Sequence, residues 1–233
     1  MAQRTVPCGI SLGVCRLRVT KVDPVTGCVT SDADNSFVLE DIISVQVAPN
    51  VETGTDTTLI GGCGCKIASY KAQDVLKRFD LTLTTPIKSA ALESLLTGGG
   101  VGFDDSTDPV PIGYSFPTAL GCGDEQPAVA VEFWTKNWDT STDAQSSTLP
   151  WIHWVFPFSL WVPGSQTANN DFAQPDFAGF SRSNDCWGDG PYGDGPEAIY
   201  GASAFSLATG GWFYTPEDPP VATCDFATVA PAS

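Results

Sequence analysis

The chain has 233 residues, a net charge of -16, 42% hydrophobic and 16% charged residues, 23 Gly and 18 Pro. This balance supports a sizeable folded core with frequent turns and excludes a disordered chain. Eleven Lys/Arg against 27 Asp/Glu exclude a grip on a nucleic-acid backbone, and one His and one Met exclude histidine-rich metal centres and methionine-lined grooves.

The charge is uneven. Residues 1–88 hold nine Lys/Arg and nine Asp/Glu, whereas 89–233 hold two and eighteen. Residues 15–22 alternate, with Cys15, Leu17 and Val19 predicted inward and Arg16, Arg18 and Thr20 outward, as in a half-buried strand. Turn residues at 23–27 and 32–35 precede a strand predicted over 37–47. Its second part sets Ile43, Val45 and Val47 against Ser44, Gln46 and Ala48, and a returning strand over 76–84 sets Phe79, Leu81 and Leu83 against Asp80, Thr82 and Thr84. Both limbs can therefore share a sheet with an apolar back and a polar front. The excursion between them, residues 52–69, exceeds the usual hairpin connection of about two to five residues. A loop of that length is expected to bind something or to order on contact with a neighbour.

Ser89 is a predicted N-cap for a helix over 90–96 with Leu92, Leu95 and Leu96 on one face, ended by Gly98, Gly99 and Gly100. It is the only helix predicted. Residues 110–116, broken by prolines, read as an edge strand, and 128–134 alternate again. Residues 138–148 read as a polar loop. The run 151–162 is aromatic on both faces, which predicts a strand covered on two sides, and 171–180 read as a further strand-like piece. The remainder, 182–233, is acidic and rich in Gly and Pro, an irregular C-terminal extension or arm and not an independent domain. The expected class is all-β, a sandwich or barrel over 1–181 with one short helix.

Chemistry finds little support in the motifs. The eight cysteines include no C-x-x-C pair, so a zinc ribbon lacks its knuckles, and free thiols are the expectation for a chain whose amino terminus shows no secretory signal. Ser115, Ser181 and Ser203 each lack the second glycine of a nucleophile elbow, and His153, between Trp151 and Trp154, reads as a packed histidine. Asp185, Asp189 and Asp194 miss the spacing of a calcium loop, and Gly98 to Gly102 has no Lys or helix after it to cradle phosphate. Paired carboxylates of the glycosidase kind cannot be singled out among 27 acids. The expectation is a non-enzyme with no cofactor and no metal, and no apolar run is long enough for a membrane span.

The order Cys15-Arg-Leu-Arg-Val-Thr, the 43–47 strand, the long excursion, Leu76-Lys-Arg-Phe-Asp-Leu-Thr-Leu-Thr and the helix ending Leu95-Leu-Thr-Gly-Gly resembles the major tail tube proteins of long-tailed actinobacteriophages. Phe133-Trp-Thr-Lys-Asn-Trp138, Trp154-Val-Phe-Pro157 and Trp187-Gly-Asp-Gly-Pro191 extend that resemblance over most of the chain. The resemblance implies a virion protein assembled in the host cytoplasm. Its protomers form hexameric rings that stack into a tube, with tape measure, terminator and distal tail proteins as partners and genomic DNA passing through the lumen without specific binding. It further implies that Thr53, Asp56, Gly61, Gly62, Cys63, Gly64, Cys65 and Lys66 stack one ring on the next, and that Ser44, Gln46, Asp80, Thr82 and Thr84 face the lumen. Two alternatives stay open: another virion protein, such as a tail terminator or capsid decoration, and a carbohydrate-binding module or glycosidase.

Overall fold

The computed structural model describes residues 9–32, 34–40, 42–107, 109–118, 125–166, 174–200, 209–223, 226, 227 and 229. The described elements are, in chain order, β1 (Gly9–Val22), β2 (Ser36–Glu40), β3 (Ser44–Glu52), β4 (Asp56–Ile60), β5 (Lys66–Lys71), β6 (Val75–Thr84), α1 (Ala90–Thr97), β7 (Gly100–Phe103), β8 (Pro111–Ser115), β9 (Ala128–Asp139), β10 (Ala144–Gln145), β11 (Trp151–Pro163), β12 (Asp176–Ser181), α2 (Pro196–Tyr200), β13 (Gly211–Thr215) and β14 (Phe226–Ala227). Ten strands make one sheet in the order β14-β2-β1-β9-β11-β12-β6-β3, with β10 added to β9 and β13 to β11. The pairs β4–β5 and β7–β8 are separate ribbons. The class is all-β, as expected, with a large antiparallel sheet and two short helices.

Three long strands carry the sheet. β1 pairs with β9 along its whole length, and the register shifts twice around Gly13 (φ 61°), so that Cys15 has no opposite number on β9. A bulge of this kind bends the strand and re-aims its side chains. β11 is shared. Trp151 to Val155 pair with β13 and Ser159 to Pro163 pair with β12, the switch falling at Pro157, which has no N–H to give to a ladder.

The two faces of these central strands are buried by different means. On one, Leu17, Val19, Val129, Val131, Phe133, Phe156 and Trp161 join Phe37 and Leu39 from one end of the strand order and Leu81 and Leu83 from the other. The sheet therefore rolls until its ends share a core. α1 plugs the roll with Leu92, Leu95 and Leu96, each of which contributes about 2 kcal/mol through burial. Ser89 caps α1 by accepting from the Leu92 amide, and Gly98 ends it in the left-handed region (φ 77°), as its sequence predicts. On the other face Val22, Ala130, Val155, Phe158 and Leu160 pack under Trp187 and Phe213.

That second layer corrects several expectations. Arg18 and Thr20, expected outward, are buried, because residues 184–200 lie over their face of β1. The described part of 182–233, expected as an extension or arm, supplies two strands of the main sheet, a second helix and the lid on this core. Cys28 and Cys186, expected as thiols, form a disulfide that fastens the lid to the turn after β1. The strand expected over 37–47 is two strands at opposite ends of the sheet order, β2 on β1 and β3 on β6. Ile42 is buried at the corner, so the hydrophobic pattern continues through the break and conceals it. β9 runs on to Asp139 and pairs with β10, where a polar loop was expected. Among the described residues β8 pairs only with β7, in a ribbon of its own. The strand expected over 171–180 begins at Asp176, residues 171–173 lying outside the described set. The two-sided burial expected of 151–162 is found in β11.

Candidate functional site

The excursion after β3 is a hairpin, which corrects the reading of 52–69 as a loop. Its sequence explains the form: Thr57, Thr58, Ile60 and Ile67 favour extended backbone, and Gly61, Gly62 and Gly64 (φ 78°) allow a tight reversal closed by Gly64 N–H to Gly61 O at 2.9 Å and Gly61 N–H to Cys65 O at 2.8 Å. Every residue of β4 and β5 is exposed, including Leu59 at 58%, Ile60 at 62%, Ile67 at 66% and Tyr70 at 71%. Of the expected stacking residues, Thr53 and Asp56 lie at its base, Gly61, Gly62, Cys63, Gly64 and Cys65 form its tip, and Lys66 opens β5. Glu52 pairs with Val75 and Asp56 with Lys71, so the ribbon continues the β3–β6 pair outward from the body.

The five residues expected to face a lumen share one surface. Cross-strand pairing sets Ser44 opposite Thr84, Gln46 opposite Thr82 and Ala48 opposite Asp80, and β12 extends these rows with Asp176, Ala178 and Phe180. Thr84 donates to Asp176 at 2.8 Å. Asn50 and Arg78 donate to Asp80 at 2.7 and 2.8 Å and hold its carboxyl below the usual range, the Asn50 bond being the larger cause. This face is rich in hydroxyls and amides, and an arginine balances part of its acid. β3 is the last strand in the sheet order, and Pro49 within it fits an unpaired edge.

Between β3 and the bulged end of β1 lies a groove of about 390 Å³ lined by Ser11, Gly13, Val14, Ile43, Ser44, Val45, Val47, Phe133, Thr135 and Trp154. Phe133 stacks on Trp154 with centroids 5.4 Å apart, and Trp154 meets the exposed Trp212 at 5.9 Å. The indole N–H of Trp154 is buried without a hydrogen-bond partner among the described residues. Nothing in the sequence marked this groove, because its walls come from strands far apart in the chain.

A buried ionic network holds the lid. Arg18 donates bidentately to Glu132, Nε to Oε2 at 2.6 Å and Nη2 to Oε1 at 2.7 Å, and Nη2 also reaches Asp194 at 2.9 Å. Its guanidinium lies between Trp134, 5.0 Å away, and Tyr192, 3.5 Å away. Tyr192 bonds in turn to Thr20 and Ser36, and His153, stacked on Trp134, donates Nε2–H to Glu132 Oε1 at 3.1 Å. Burial alone would push the Glu132 carboxyl up, but the Arg18 charge and the bonds from His153 and Arg18 overcome it and hold the group at about 2. Asp194 goes the other way. Burial and the neighbouring Glu132 carboxylate raise it despite its contact with Arg18, which is already engaged by Glu132. Arg18, Glu132 and His153 are each at most 2% exposed, so the inner part of the network is a buried clamp, with Tyr192 and Asp194 at its half-buried outer side. His153 is packed, as the sequence suggests, but its ionic partners were not foreseen. Asp194 is committed to Arg18, and no group of three metal-ligating side chains occurs among the described residues.

Among the described residues no helix is long and apolar enough to cross a membrane. No protein-family model matches the chain, and no curated protein matches it either.

Proposed function

We propose that this chain is the tail tube subunit that its sequence resembles, a structural virion protein that assembles head to tail with copies of itself into stacked rings around a DNA-conducting lumen. The observation that carries the reading is the β4–β5 hairpin. A lone two-stranded ribbon is marginal in water, and this one leaves four large apolar side chains uncovered by its own chain. It therefore needs a partner. The groove at the other end of β3 is an apolar surface that such a partner could occupy, and a knob and a hole on different parts of one chain generate rings or filaments when copies associate. The hydroxyl-rich face of β3, β6 and β12 suits a water-filled conduit, its two arginines being engaged on that face already, Arg78 with Asp80 and Arg182 over the Phe180 ring.

The test is a double substitution on the exposed ribbon, Ile60→Asp with Ile67→Asp. Loss of two buried isoleucines from an interface, about 1.5–3 kcal/mol each, should raise the concentration needed for assembly about 100-fold or more while leaving the protomer's circular dichroism unchanged. Assembly at the wild-type concentration would overturn the proposal. The aromatic row of Phe133, Trp154 and Trp212 favours a second reading, as a sugar-stacking surface. That reading requires oligosaccharides to shift the tryptophan fluorescence of the isolated protomer.

A further inference from the structure

The hairpin tip carries two thiols, Cys63 and Cys65, both free and both exposed. An exposed free thiol is a reactive liability in a finished extracellular particle, and a pair of them one residue apart on a projecting turn is a placement that chemistry can use. The same chain closes Cys28 to Cys186, so the covalent chemistry is compatible with its fold. A third free cysteine among those described, Cys15, is half-buried at the β1 bulge, next in sequence to Val14 of the apolar groove. The ribbon runs outward from β3 while the groove lies at the inner end of that strand. β3 spans nine residues, roughly 30 Å at strand rise, so the tip of one copy cannot reach its own groove. It is placed to reach that of a copy displaced along the ribbon.

We propose that the tip thiols form an interchain disulfide with Cys15 of a second copy of this chain, turning a non-covalent head-to-tail contact into a covalent one. The inference rests on the head-to-tail reading above. The occupant of the groove is then the apolar tip, with Ile60 and Ile67 against Val14, Ile43, Val45 and Trp154, and the contact brings the sulfurs together. A small-molecule disulfide such as oxidised glutathione supplies the oxidant. The thiolate of Cys63 or Cys65 attacks it, forming a mixed disulfide and releasing one glutathione thiolate. Cys15 of the second copy then attacks the protein sulfur and releases the other. Two protein thiols and one small disulfide become one interchain disulfide and two small thiols, with both electrons accounted for.

The experiment uses the full chain, assembled with and without oxidised glutathione, and reads electron micrographs, non-reducing gels and peptide mass maps. The expected result is a ladder of multimers that collapses on reduction, with Cys63 or Cys65 linked to Cys15 in the map. The ladder should persist in either single serine variant and vanish in Cys63→Ser/Cys65→Ser, whose tubes should still form. Tubes with no interchain link, or links only from tip to tip, or only an internal Cys63–Cys65 bond, overturn the lock and leave the assembly reading standing. Absence of tubes in both redox states overturns that reading and the lock with it.

Discussion

At the scale of single residues, Glu132 ties three elements through one carboxylate, accepting from Arg18 of β1 and His153 of β11 while sitting on β9 between them. Removing its charge would leave the buried guanidinium with the half-buried Asp194 in place of its bidentate partner. Glu132→Gln should therefore lower unfolding free energy by about 3–5 kcal/mol. Asp194→Asn should be close to neutral or stabilising at pH 7, because the fold disfavours the ionised form of Asp194 and an amide can still accept from Arg18. The pH dependence separates the two acids. Glu132, depressed in the fold, contributes stability that is present above the ordinary carboxylate pKa and is lost as pH falls from about 4.5 towards 2. Asp194, raised in the fold, contributes the opposite sign, favouring the folded state below its ordinary pKa and losing that contribution as pH rises through its folded value. Asp194→Asn should thus steepen the acid-induced loss relative to wild type. Urea unfolding from pH 2 to 7 measures both, and equal losses for the two variants would contradict this account of the clamp.

At the scale of elements, the lid over the second core depends on Cys28–Cys186, a bond that closes a sequence separation of 158 residues. Cys28→Ser/Cys186→Ser should cost about 3–5 kcal/mol on the chain-entropy estimate, seen as a lower urea midpoint that added reductant does not lower further. The lid was also where sequence reasoning failed. Periodicity identified β1, β6, α1 and β9, because each sets a regular apolar face against the rolled core, and β11 was legible from its aromatic residues on both faces. It assigned the wrong environment to Arg18 and Thr20, since a polar alternation signals a solvated face unless something distant covers it, and the cover is an irregular segment without periodicity. The hairpin was missed for a different reason. A ribbon that buries nothing shows no inward face, so its β-branched residues read as loop. Its residues were nonetheless singled out by length and glycine content, and the polar face of Ser44, Gln46, Thr82 and Thr84 was legible because the strand pair that bears it is half-buried. Hydrogen exchange should find the β4 and β5 amides the least protected of the regular strands in the free protomer, slowing at least about tenfold on assembly. Rapid exchange in the assembled state would remove the hairpin from the interface.

At the scale of the whole molecule, the body is closed around its central strands: both faces of β1, β9 and β11 are covered over most of their length, and a clamp and a disulfide secure the cover. What remains open is distributed around it, with an apolar ribbon projecting from one end, an apolar groove beside the β1 bulge, and the edge of β3 between them. In the proposed assembly, surfaces so placed on one chain would meet a neighbour's and not one another, the arrangement of a heterologous contact. The central claim is that these surfaces join copies of this chain. Its most direct test is negative-stain electron microscopy of the purified 233-residue chain over a concentration series, with sedimentation velocity on the same samples. The account predicts hollow tubes of stacked rings that lengthen with concentration. Monomers or single closed rings at every concentration would contradict it.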